Sequence, residues 1–140
     1  MRSRLTLIAF LAVVASTVLA AAPSAGASSH VSVNITGQVS FSGILLHVQA
    51  HADGDNLASL SGQGTDNFVD NGNQFGLCIA PLTGSVSGST VTLSGTTTIA
   101  NNPSDIGVPV TFIANASTGA ITWIFDGLTF TGTGIVDIHD

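Results

Sequence analysis

The residue types able to do chemistry are few in this chain: four histidines, eight aspartates and one cysteine, with no glutamate. His47 and His51 stand four apart. On a helix that spacing would bring two imidazoles to one metal. On a strand, four residues span about 13 Å, far beyond a shared zinc with bonds near ~2 Å, so the pair could chelate only across a bulge. Both alternate with Leu46, Val48 and Ala50, which places them on an exposed face. His139 lies beside the C-terminus. Asp53 with Asp55, and Asp66 with Asp70 and Asn71, offer the oxygens that calcium takes, but EF-hand spacing and its terminal Glu are absent, and Asp, Asn and Gly are also what tight turns use. No metal and no cofactor is expected.

Catalytic motifs are missing as well. The nearest approach to a nucleophile elbow, Gly84-Ser85-Val86-Ser87-Gly88, has Val where the nucleophile belongs. Gly62-x-Gly64 and Gly132-x-Gly134 lack the third glycine of a dinucleotide site and read as curvature devices. No catalytic residue is assigned. Asp66 is the residue out of place, because strand alternation sets it on the same face as Gly62, Gly64 and Phe68. A carboxylate on a core face must be hydrogen-bonded, raised in pKa or open to a polar cavity, which suits a ligand contact or an acid–base group. The simpler expectation is a bulge around Thr65-Asp66-Asn67, or the open end of the sheet. Trp123, Phe125 and Phe130 are expected first as core and second as the wall of a ligand pocket. Cys78, alone, cannot form an internal disulfide and is expected to be an inert, partly buried thiol.

The elements that must position these residues are strands. Short β-prone runs alternate with turn signals, giving eight or nine strands of an antiparallel all-β domain, either a β-barrel or a β-sandwich. Asp126-Gly127 suits a type I′ hairpin and pairs Phe125 with Leu128, Trp123 with Phe130 and Ile121 with Gly132. Gly88-Ser89, as a type II′ turn, pairs Val86 with Val91, Gly84 with Leu93 and Leu82 with Gly95. Asn71-Gly72 pairs Phe68 with Phe75 and sets Leu77 and Ile79 on the face of Asp66. Asp53-Gly54-Asp55 reads as a three-residue loop. Residues 101–107, with Asn102-Pro103 inside, form the longest stretch without strand character, where a crossover or mobile loop would sit. Glycines recur on the inferred core face and favour a curved sheet closing into a barrel.

Residues 1–27 read as a signal peptide. Arg2 and Arg4 precede an apolar run to Ala22, and Ala25-Gly26-Ala27 fits signal peptidase, so cleavage is expected after Ala27, or failing that after Ala20. Residues 28–140 then form one secreted, extracellular domain. Losing the two arginines takes the net charge from −6 to −8 and leaves no Lys or Arg at all. Nucleic acid is thereby excluded, because phosphate recognition depends on those cations, and an anionic membrane would repel the mature domain. Without Lys, Arg or Glu there is also little to cover a solvent-facing helix, so none is expected after residue 30. Asn34-Ile35-Thr36 and Asn115-Ala116-Ser117 match the N-glycosylation acceptor, which matters only in a host that exports through an endoplasmic reticulum.

In outline the chain resembles the secreted apoproteins of actinomycete enediyne antibiotics, β-sandwiches that hold an apolar ligand. The likeness is one of composition, and those proteins carry paired cysteines where this chain has Cys78 alone, so neither fold nor site is carried over. Eight-stranded ligand barrels of the calycin or allene-oxide-cyclase type are an equally loose analogy. The expected function is non-catalytic: binding a small apolar or carbohydrate ligand, with Asp66, Trp123 and Phe130 as contacts. The alternatives are an extracellular structural or protein-interaction module, and a small enzyme using Asp/His acid–base chemistry. A homodimer through an edge strand or Cys78 is a further expectation.

Overall fold

A computed structural model describes residues 29–140, and the signal peptide read over 1–27 lies outside them. Eight antiparallel strands follow one another as a simple meander: β1 (Val31–Phe41), β2 (Ile44–Asn56), β3 (Ser59–Asp70), β4 (Asn73–Ser87), β5 (Thr90–Ala100), β6 (Pro109–Asn115), β7 (Ala120–Phe125) and β8 (Leu128–His139). β8 returns to pair with β1, closing the sheet into a barrel. The sandwich alternative is thereby excluded. Closure also pairs both sides of every strand, so the edge strand on which a homodimer was expected does not exist among the described residues.

Local turn chemistry sets much of the register. Asn71-Gly72 and Asp126-Gly127 both have positive φ at their two central positions, as does Ser42-Gly43, and each closes a two-residue hairpin. Phe125 faces Leu128, Trp123 faces Phe130 and Ile121 faces Gly132, as the turn requires. Phe68 faces Phe75 and the two rings stack at 5.0 Å. Two expectations fail. Leu82 does not pair with Gly95, because the β4–β5 ladder slips between Ile79 and Thr83, where Pro81 has no N–H to donate. The β2–β3 turn is not Asp53-Gly54-Asp55 but Leu57-Ala58, with a bulge between Asp53 and Asn56 absorbing the Asp-Gly signal. There the Ala58 N–H donates to Asn56 Oδ1 at 2.9 Å, an Asx turn that does the work expected of the glycine.

The interior is filled by one apolar set that includes Val33, Ile35, Val48, Leu82, Leu93, Phe112 and Ile121, all essentially without solvent exposure. Outward positions are mostly Thr, Ser, Asn and Gln. Apolar inside and polar outside is the reverse of a transmembrane barrel with a wet lumen. Glycines make room for the large residues. A Cβ at Gly37 or Gly134 would lie against Ile121 Cδ1, and one at Gly64 would lie 3.1 Å from Phe112 Cε2, so these side chains fill the barrel by lying over bare backbone. Gly84 and Gly62 are the sharpest cases, since a Cβ there would overlap the Thr92 or His51 carbonyl oxygen of the adjacent strand. Gly84→Ala should therefore destabilise the barrel by more than about 2 kcal/mol in urea unfolding, because backbone cannot yield as a side chain does. An unchanged midpoint would show that the strands do not approach this closely.

A meander alternates its connections between the two ends of the barrel. The β1–β2, β3–β4 and β7–β8 hairpins and residues 101–108 share one end, the mouth. Residues 101–107 were expected to hold a crossover or a mobile loop; the segment makes no crossover, since it joins the neighbouring strands β5 and β6, and it carries the only helical turn among the described residues, a 3-10 turn at Pro103–Asp105.

Candidate functional site

Asp66 lies inside the barrel. Its strand runs in unbroken register through Thr65, Asp66 and Asn67, opposite Val48 of β2 and Leu77 of β4. The bulge expected there is absent; the irregularity of β3 falls between Gly62 and Gly64 instead. Alternation then forces the carboxyl inward, leaving it 1% exposed. No donor meets either carboxyl oxygen in full hydrogen-bond geometry, and the Leu77 N–H is near enough only to attract it weakly. Burial drives its pKa from 3.8 up to about 7; the Leu77 N–H pulls the other way, and Asp105 adds to the rise.

Trp123 and Phe130 are both buried and pack 5.2 Å apart, with Phe125 stacked on Trp123 at 5.3 Å. Together with Asp66 these rings line a cavity of about 160 Å3 at the mouth, completed by Ile44, Leu46, Phe68, Leu77, Leu128 and Asp105. The indole Nε1–H of Trp123 is buried and makes no hydrogen bond. A buried donor and a buried carboxyl, both unpartnered and on residues of one apolar cavity, are what a ligand's polar end would satisfy. The three residues singled out from the sequence thus share one cavity.

Asp105 was not among them. It stands in the segment that has no strand periodicity, and its position depends on hydrogen bonds that no local pattern reveals. Asn102 Oδ1 accepts from the Ser104 N–H, Gly107 N–H donates to Thr97 O at 2.8 Å, and Asn101 both donates to Gly76 O and accepts from the Gly76 N–H at 2.8 Å. Those ties fold the loop against β4 and β5 beside the mouth. The one sequence signal was Asn102-Pro103, a helix start with an N-cap.

The barrel mouth is apolar outside the cavity too. Phe41, Ile44, Val69, Ile99, Ile106 and Leu128 are exposed large hydrophobics, and all belong to the hairpins, strand ends or loop at that end.

No family model, no curated protein and no solved structure matches the chain.

The remaining candidates do not gather. His47 and His51 are exposed on the outer face of β2. His51 Nε2 donates to Asp53 Oδ2 at 2.7 Å, its Nδ1 lies 2.7 Å from the Asn34 amide, and His30 lies 3.5 Å from Asp53. Asp53 is thus engaged by histidines rather than by Asp55. Among the described residues no three His, Cys or Asp side chains come close enough together to hold a metal. Asp70 and Asn71 are exposed at the β3–β4 tip, while Asp66 points into the barrel, so those three do not form one oxygen cage. Cys78 is half-buried and carries no disulfide. Asn34 is exposed on β1, whereas Asn115 is half-buried and accepts from the Ser117 and Thr118 N–H groups to hold the β6–β7 turn.

Proposed function

We propose that this chain is a secreted, non-catalytic binding protein whose barrel mouth holds one small, predominantly apolar ligand, with Trp123, Phe125 and Phe130 as its wall and Asp66 as its polar anchor. The observation that carries this reading is the pairing of a filled barrel with an open apolar cavity at the mouth that reaches Asp66, buried and unpartnered. Burying an unsatisfied polar group costs about 1–3 kcal/mol, and a chain that merely needed a stable barrel would have an apolar residue there. Eight-stranded barrels have an interior just wide enough to be filled or to take one small ligand. A carbohydrate fits less well, since its many hydroxyls need more partners than this cavity offers. Acid–base catalysis would pair Asp66 with a histidine or a second carboxyl within hydrogen-bond reach; none of the four histidines lines the cavity, and Asp105, the second carboxyl there, makes no hydrogen bond with it. Export rests on the N-terminal pattern and on an acidic domain without Lys or Arg.

The exposed apolar ring at the mouth favours a second reading, an interaction module that docks this end on another protein. Native mass spectrometry of the protein purified from its own host's culture medium separates the two. Binding predicts a chain beginning at Ser28 with one small molecule retained per copy. A bare chain, or one carrying a protein partner, would overturn the ligand reading.

A further inference from the structure

The charge distribution around the cavity goes further than the apolar reading on which it rests. Asp66 and Asp105 line the same space, and no cation faces either of them. From β2 the neighbours are Ile44 and Leu46, from β3 Phe68, from β4 Leu77, from β7 Trp123 and Phe125, and from β8 Leu128 and Phe130, all uncharged. His30, His47, His51 and His139 lie elsewhere, and residues 28–140 contain no Lys or Arg. Two carboxyls in one apolar pocket, without a counter-charge from the protein, form an incomplete ion pair.

We propose that the cavity takes a small hydrophobic amine, its ammonium seated between the Asp66 and Asp105 carboxylates and its apolar body packed against Trp123, Phe125 and Phe130.

Each part of the cavity suits that ligand. An ammonium supplies the N–H donors that the two unpartnered Asp66 oxygens lack. Aromatic faces attract a cation, with tryptophan the best of them. The volume, about 160 Å3, is close to the ~150 Å3 of an apolar protein cavity that accepts benzene, so a single ring or short alkyl body fills it. A net charge of −8 after signal removal draws cations toward the mouth and repels carboxylate or phosphate ligands. The free cavity keeps its carboxyl neutral by holding a proton on Asp66. Amine binding at or below neutral pH releases that proton to solvent, so affinity for the amine rises with pH up to about 7 and is level above it until the amine loses its own proton.

The test is isothermal titration calorimetry of the mature protein with benzylamine and with benzyl alcohol, its neutral counterpart of nearly equal shape, at pH 6 and pH 8. The inference predicts that the amine binds at least tenfold more tightly than the alcohol at pH 8. It also predicts a net proton release with the amine at pH 6, and that Asp66→Asn abolishes the amine's advantage over the alcohol. Alcohol binding as tightly as the amine would overturn the amine inference and leave the apolar site standing. Binding of neither would overturn both.

Discussion

Replacing Asp66 with Asn should make the protein more stable at pH 8, by an amount on the order of 4 kcal/mol, while changing little at pH 4. The folded state holds the Asp66 proton up to about pH 7, whereas an unfolded chain releases it near 3.8. Between those values the unfolded state binds fewer protons than the folded one, so raising the pH removes stability. Below them both states are protonated, and above them both are ionised and the deficit is constant. A difference of about three pKa units corresponds to roughly 4 kcal/mol at ~1.36 kcal/mol each. Asn has the same shape and stays neutral, so it removes the titration and keeps the buried polar group. Thermal unfolding of both proteins from pH 4 to pH 9 checks this, with the difference between the two curves isolating Asp66 from the other seven aspartates. A difference that stays flat across that range would mean that the carboxyl is solvated and not sealed in the barrel.

Trp123→Ala should cost about 3–5 kcal/mol, seen as a fall in Tm of more than about 10 °C, and should abolish ligand retention. The indole is 1% exposed, stacks on Phe125 two residues along its own strand, packs against Phe130 of β8 and stands in register with the buried Phe112 of β6. Truncation removes the shared wall of the filled interior and the mouth cavity. Because the new void joins a space already open at the mouth, water can enter it, which sets the cost nearer ~3 than ~5 kcal/mol. Trp123→Phe keeps a ring in that wall and removes only the unpartnered N–H, so its loss of stability should be much smaller. If Ala and Phe prove equally costly, the indole nitrogen has a partner and the cavity is not as described.

What could be read in the sequence was what short-range chemistry determines. Asn71-Gly72, Gly88-Ser89 and Asp126-Gly127 are two-residue turns whose backbone needs are met by their own residues, and the pairs beside them, Phe68–Phe75, Val86–Val91 and Trp123–Phe130, follow by counting outward. Counting fails where the ladder does. Pro81 breaks the outward count from Gly88-Ser89 before it reaches Leu82, and the bulge after Asp53 moves the β2–β3 turn to Leu57-Ala58, a pair with no strong turn signal of its own.

Closure was only partly legible. Core-face glycines such as Gly62, Gly84 and Gly132 pointed to curvature, but the pairing of Val39 with Gly132, which seals β1 to β8, joins residues from opposite ends of the chain. Asp66 was assigned to the correct face by alternation, yet a buried unpaired carboxylate is so costly that a bulge was the simpler expectation; only the unbroken register on both sides shows that the cost is borne. Asp105 escaped because a loop held by backbone hydrogen bonds to Gly76 and Thr97 has no periodicity to betray where it folds.

Trp123 gives a direct view of the mouth cavity as the ligand site, since it is the only tryptophan and gives the only indole N–H signal. The decisive measurement is a two-dimensional 1H–15N NMR titration of the mature protein with benzyl alcohol. A saturable shift of the Trp123 indole signal is expected, together with the backbone amides of Asp66, Leu77 and Phe130. Amides of the opposite end, around Leu57, Gly88 and Gly119, should stay in place. Shifts confined to the outer face around Asn34, His51 and Gln63, or an indole signal that never moves, would contradict it.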